Sequence, residues 1–112
     1  MQLLKCITVT DLLTGALNMR GIHEIGGKLL KQGKLNEYTC IFLNIKNFNY
    51  INRAVGARQG DMVLREFVRL AQQKLNAEEY FARMGGDNFV LLAKKERAEG
   101  LLTQMINVQI TV

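Results

Sequence analysis

Apolar positions Ile22, Ile25, Leu29 and Leu30 recur at helical spacing behind Asn18, a residue suited to cap a helix. Gly26 and Gly27 weaken that helix by about 1 kcal/mol each relative to Ala, and Gly33 is placed to stop it. The run Tyr38 to Ile45 is β-branched and aromatic without alternation, the pattern of a strand buried on both faces. Phe48, Ile51 and Val55 predict a short helix closed by Gly56, and Met62, Val63, Phe67 and Leu70 line a longer one from Gln59 to Leu75. Glu79 to Met84 alternates as a strand, Gly85-Gly86-Asp87-Asn88 signals a hairpin turn, and Phe89 to Ala93 is a second buried strand. Glu96 to Met105 is helical in pattern, and Ile106 to Val112 closes as a strand. Residues 1–10 fit a helix end or a strand, and Asp11 to Leu17 reads as a structured loop. With the two consecutive helices merged, the order from Tyr38 is βαββαβ, the α+β, split-βαβ pattern of ferredoxin-like and palm-like folds.

A chain of 112 residues with 48% hydrophobic and 22% charged positions is one domain with a core of its own. No apolar run approaches the ~20 residues of a membrane span, and the first residues make a poor signal peptide. Cys6 and Cys40 are too few for a disulfide scaffold, so a reducing, cytoplasmic setting is expected. The formal charge of +5 invites a nucleic-acid reading, but the basic residues are scattered and the densest cluster, Lys94-Lys95-Glu96-Arg97, carries its own acid. No nucleic-acid partner is expected; a phosphate ligand suits the charge as well.

Taken singly, the polar positions are ordinary. The glycines at Gly85 and Gly86 serve a tight turn, although they also let a ligand approach the backbone beside Asp87. Asn44 ends a strand before a cap at Asn47, Asn52 lies on the polar side of its helix, and Asp61 sits in a first turn that favours a carboxylate.

Together they resemble the GGDEF domain, the diguanylate cyclase module of bacterial cyclic di-GMP signalling. Asp11 to Asn18 (DLLTGALN) resembles its opening motif, DxLTGLxN. Asn44 to Phe48, Ile51-Asn52 and Gly60 to Leu64 resemble DxDxFKxIND…GHxxGDxxL, and Arg83 to Val90 (RMGGDNFV) resembles RYGGDEFV. Residues 106–112 are similar to the strand that leads into an SIG motif, so residues 1–112 read as one such domain and a piece of a longer chain.

The resemblance implies a palm-like fold, and a reaction that joins two GTP across a dimer of half-sites with divalent metal, Mg²⁺. Here the sequence departs from the family. Asn44, Lys46 and Asn88 stand where the family has two metal-linked Asp and the Glu of the signature, leaving Asp87 of that acidic cluster. At an effective dielectric of ~20, a unit charge 4 Å away contributes about 4 kcal/mol, so an ammonium there opposes Mg²⁺. Lys46 could contact phosphate in place of metal, or simply be a solvated strand-end lysine. The family's guanine-binding Asn and Asp correspond to Asn52 and Asp61, its following Asp to Arg53, and its Lys to Asn49. Gly85 and Gly86 remain for nucleotide approach. At the inhibitory RxxD position stand Asn76 and Glu79, read as a helix end and a strand start, so no inhibitory site is expected. The expectation is a degenerate, inactive regulatory module that retains GTP, with a second copy, another GGDEF or EAL domain, or a sensor domain as partner. A weakly active cyclase using Asp87 and a pure protein-interaction domain without nucleotide are the alternatives.

Overall fold

The computed structural model describes residues 8–106. Helix α1 (Met19–Lys31) starts as its sequence predicts: the Asn18 side chain accepts from the Gly21 N–H at 2.9 Å. It ends in a Schellman motif, with Gly33 at φ +70° and the Lys34 N–H reaching the Leu29 carbonyl. Ile22 and Leu29 are buried, but Leu30 is 66% exposed. The apolar stripe of α1 is therefore narrower than its spacing suggests, and Leu30 falls off its edge.

Strand β1 (Tyr38–Asn44) leads to α2 (Phe48–Val55) and α3 (Ala57–Gln73), joined at Gly56 with φ +90°. Strands β2 (Tyr80–Gly85) and β3 (Asn88–Lys94) form the hairpin, and α4 (Lys95–Ile106) follows directly. The sheet is antiparallel in the order β1-β3-β2, with β3 central, the arrangement of a split βαβ unit. Ile106 closes α4 rather than opening a strand, and the rest of the expected last strand, 107–112, lies outside the described residues, as do residues 1–7.

The apolar run of β3 is explained by its central place. Its inner residues, Phe89 to Ala93, are all buried. On one face Phe89 and Leu91 join Phe48, Val63, Leu64, Phe67, Val68 and Phe81 beneath α3 and α4. There Phe67 meets Phe89 edge-on at 5.0 Å between ring centroids, and Phe81 stacks on Phe89 at 5.3 Å. On the other face Val90, Leu92 and Ala82 pack with Ile22 and Leu29 of α1.

The expectation that β1 is buried on both faces is wrong. Ile41 and Leu43 pack toward the α3–α4 side, while Cys40 and Phe42 are exposed, Phe42 by 77%. The reason is that α1 packs chiefly against β2, so on that face of β1 Tyr38 is buried beside it while Cys40 and Phe42 are left exposed. Two further positions are corrected. Met62 is 52% exposed because the inward stripe of α3 runs through Val63, Leu64, Phe67, Val68 and Ala71. Asp61 is not in a first turn, because α3 begins at Ala57 and has no acidic residue there.

Candidate functional site

The ends of β1 and β3 bring the expected residues to one place. Asn44 lies directly across from Asn88 in the strand register, and the Ile45 N–H donates to the Asp87 carbonyl at 3.3 Å. The β2–β3 turn passes through Gly86 and Asp87. Gly85 (φ +145°) and Gly86 (φ +55°) adopt backbone conformations that disfavour other residues, and a register shift lies between Arg83 and Gly85. The glycines thus serve the turn itself.

Beside this turn opens a cleft of about 570 Å³, lined by Asn44, Lys46, Asn47, Asn49, Arg53 and Asp87, with Ile45, Phe48 and Tyr50 as its apolar and aromatic part. Asn47 does not cap α2 as expected: it makes no side-chain capping bond and takes φ +62°, a conformation Asn tolerates better than most residues. Arg53, which the sequence reading places near the phosphates or in solvent, lines this cleft. The signal available was its spacing, since Asn49 and Arg53 are four apart and share a helical face.

Asn52 and Asp61 do not line this cleft. Asn52 instead lies against Gly60, the residue before Asp61, where α2 approaches α3. A Cβ on Gly60 would lie 2.1 Å from the Asn52 Oδ1, so glycine is what admits the Asn52 amide there. Asn52 is half-buried rather than solvated, and Asp61, next to Gly60, is half-buried too.

The opening loop is tied to the signature turn. Asp11 accepts from the Thr14 N–H (2.9 Å) and hydroxyl (2.8 Å), and pairs with Arg83, whose Nη1 lies 3.1 and 3.2 Å from its two carboxylate oxygens. Arg83 Nε donates in turn to the Gly86 carbonyl at 2.9 Å. Asp11, Thr14 and Arg83 therefore position the turn that carries Asp87. Burial pushes the Asp11 carboxyl up, but the Thr14 bonds and Arg83 outweigh it, and its pKa is lowered. Removing a partly buried charged partner of this kind costs about 2 kcal/mol. Asp11→Ala should lower stability by that amount in urea unfolding at pH 7, with the difference shrinking at pH 3, below the unfolded carboxyl's value and on the way down through the lowered folded one. An equal difference at both pH values would show that the pair is not what stabilises the loop.

The donor set fits Mg²⁺ poorly. The ion is usually held by one or two carboxylates together with substrate phosphates. Asp87 is the single carboxylate lining this cleft, with Lys46 and Arg53 on the same walls. Among the described residues no three His, Cys, Asp or Glu side chains gather to hold a metal.

Asn76 and Glu79, at the inhibitory-motif position, are occupied with each other and with α4. The Glu79 carboxylate is buried and accepts from the Asn76 N–H and from Arg97. Among the described residues no helix is long and apolar enough to cross a membrane.

The family profile described as "Diguanylate cyclase, GGDEF domain" matches residues 8–111. The cyclic di-GMP phosphodiesterase PdeR of Escherichia coli is 28% identical over 98 residues, which is 88% of this chain and 15% of that protein. The diguanylate cyclase DgcS of Shewanella oneidensis is 32% identical over 76 residues, 67% of this chain and 26% of that one. The chain thus spans about a quarter or less of these relatives. A solved microbial GGDEF domain, described in a novel interaction mode with cyclic di-GMP, superposes with a TM-score of 0.76 at 29% identity, covering 88% of this chain and 67% of its own. The fold is the palm-like one of nucleotidyl cyclases.

Proposed function

The chain belongs to the GGDEF, or diguanylate cyclase, domain family, and from that premise we propose that it is a degenerate regulatory module of cyclic di-GMP signalling that binds GTP without converting it. The family uses Mg²⁺. One observation carries the reading: Asn44 stands opposite Asn88, and Asp87 is the single carboxylate in the cleft beside them. Amides in place of carboxylates remove the charge that would hold the ion and lower the barrier to attack on the α-phosphate.

The guanine end supports retained binding. An Asn amide and an Asp carboxylate together match the acceptor and donor edges of guanine, and a carboxylate cannot donate to adenine. Asn52 and Asp61 supply these groups on facing helices, with Gly60 leaving room for the Asn52 amide. Such a module works in the cytoplasm through a partner: a second copy, another GGDEF or EAL domain, or a sensor domain.

Isothermal titration with GTP and ATP tests the binding. GTP should bind at least about tenfold more tightly than ATP, the equivalent of one good hydrogen bond. Gly60→Ala, whose new methyl expels the Asn52 amide, should remove most of that preference while the fold persists by circular dichroism. Equal affinity for both nucleotides would contradict the proposal. A second reading, slow cyclisation, is favoured by Asp87, which keeps its place in the cleft. It predicts Mg²⁺- or Mn²⁺-dependent turnover that disappears in Asp87→Ala.

A further inference from the structure

We propose that Lys46 and Arg53 hold the phosphate chain of a nucleoside triphosphate directly, so that this cleft takes its anion without a divalent cation. The proposal rests on the nucleotide-binding reading above and goes beyond it in assigning the charge that replaces the metal.

Both cations line the same cleft, one from the β1–α2 turn and one from α2. Against them stands one carboxylate, Asp87; the other polar walls are the amides of Asn44, Asn47 and Asn49. An anion entering the cleft therefore meets a positive balance of side chains and three amide groups able to donate hydrogen bonds.

Neither cation is committed elsewhere. Among the described residues Arg20, Arg69, Arg83, Lys94 and Arg97 form ion pairs, whereas Lys46 and Arg53 form none. Both are exposed, so binding a phosphate would not first require breaking an internal pair. The cleft volume of about 570 Å³ lies within the usual span for small-molecule sites. A guanidinium offers a planar fork of donors and an ammonium a compact charge, and both are ordinary partners of phosphate oxygens. A divalent cation in the same space would face two like charges and one carboxylate. Free triphosphate should therefore bind at least as well as its Mg²⁺ complex.

The test is isothermal titration of the whole chain with GTP, with ATP and with inorganic triphosphate, each in EDTA and in excess Mg²⁺. The expected result is GTP affinity in EDTA within about threefold of that in Mg²⁺, or tighter. Lys46→Ala with Arg53→Ala should weaken GTP in EDTA by about 100-fold, from two charge-assisted bonds, and flatten the salt dependence. Both residues are exposed, so the fold should tolerate the change; a circular-dichroism melt checks it. GTP binding that requires Mg²⁺, or that survives the double substitution, overturns this proposal and leaves nucleotide binding standing. Triphosphate binding in EDTA without preference for GTP over ATP supports the phosphate assignment and overturns the guanine one. Absence of binding by every probe overturns both.

Discussion

Replacing Arg97 by alanine should destabilise the domain measurably, because the buried Glu79 carboxylate loses its charged partner, although the half-exposed guanidinium is partly screened by solvent. The Glu79 side chain is 0% exposed, and its carboxylate is held by Arg97 Nε at 3.0 and 2.9 Å, by the Asn76 N–H at 3.0 Å and by the Lys94 N–H at 3.3 Å. Arg97 also donates to the Lys74 carbonyl at 2.9 Å. It thereby ties α4 to the end of α3 and to the start of β2. Burial alone would push the Glu79 carboxyl up, but Arg97 and the two backbone N–H groups outweigh it, and its pKa is lowered. A lowered folded pKa means this stability is fully present above the ordinary carboxylate value, about 4.3. It is lost as the pH falls through the folded value. In Arg97→Ala the burial cost is left with only the backbone bonds against it. Its stability should then fall less on acidification than that of the unmodified chain. Urea unfolding at pH 7 and pH 3 measures both effects. A loss below about 1 kcal/mol at pH 7 would show that the backbone bonds suffice for Glu79.

The pair also marks where reading the sequence stops. Arg97 and Glu79 are 18 positions apart, and Arg83 and Asp11 are 72 apart. Neither link has a local signature, although Asp11, Thr14 and Arg83 all lie inside the motifs that resemble the family. What depends on neighbours in the chain was legible: the Asn18 cap, the Gly33 stop, the Gly56 break and the turn at Gly86 and Asp87. So was the buried centre of β3, because a strand flanked on both sides and covered on both faces must be apolar throughout. Phe42 misleads for the same reason. Its run looks like that of β3, yet on one face of β1 only Tyr38 is covered, and only the position of α1 reveals this. Leu30 and Met62 fit helical spacing but sit at the edge of their stripes. The meeting of Asn44, Asp87 and Asn88 followed from strand order. For Arg53 the sequence left phosphate side and solvent both open, because the choice depends on how α2 is rotated against the turn.

The largest expected effect concerns turnover. Joining two GTP requires a 3′-hydroxyl to attack an α-phosphate while pyrophosphate leaves, and charge accumulates on both. Divalent metal supplies several kcal/mol of stabilisation to that charge, and each 1.36 kcal/mol is tenfold in rate. On the proposed reading Asn44, Lys46 and Asn88 stand at the positions that would hold it, and the cleft has Asp87 as its single carboxylate. A loss of about 4 kcal/mol of such stabilisation lowers turnover by about a thousandfold. Incubation of the purified chain with GTP and Mg²⁺, followed by chromatographic detection of cyclic di-GMP, measures this directly. The expected result is no product above the level of an Asp87→Ala control, and cyclic di-GMP formed at the rate of an ordinary diguanylate cyclase would contradict it.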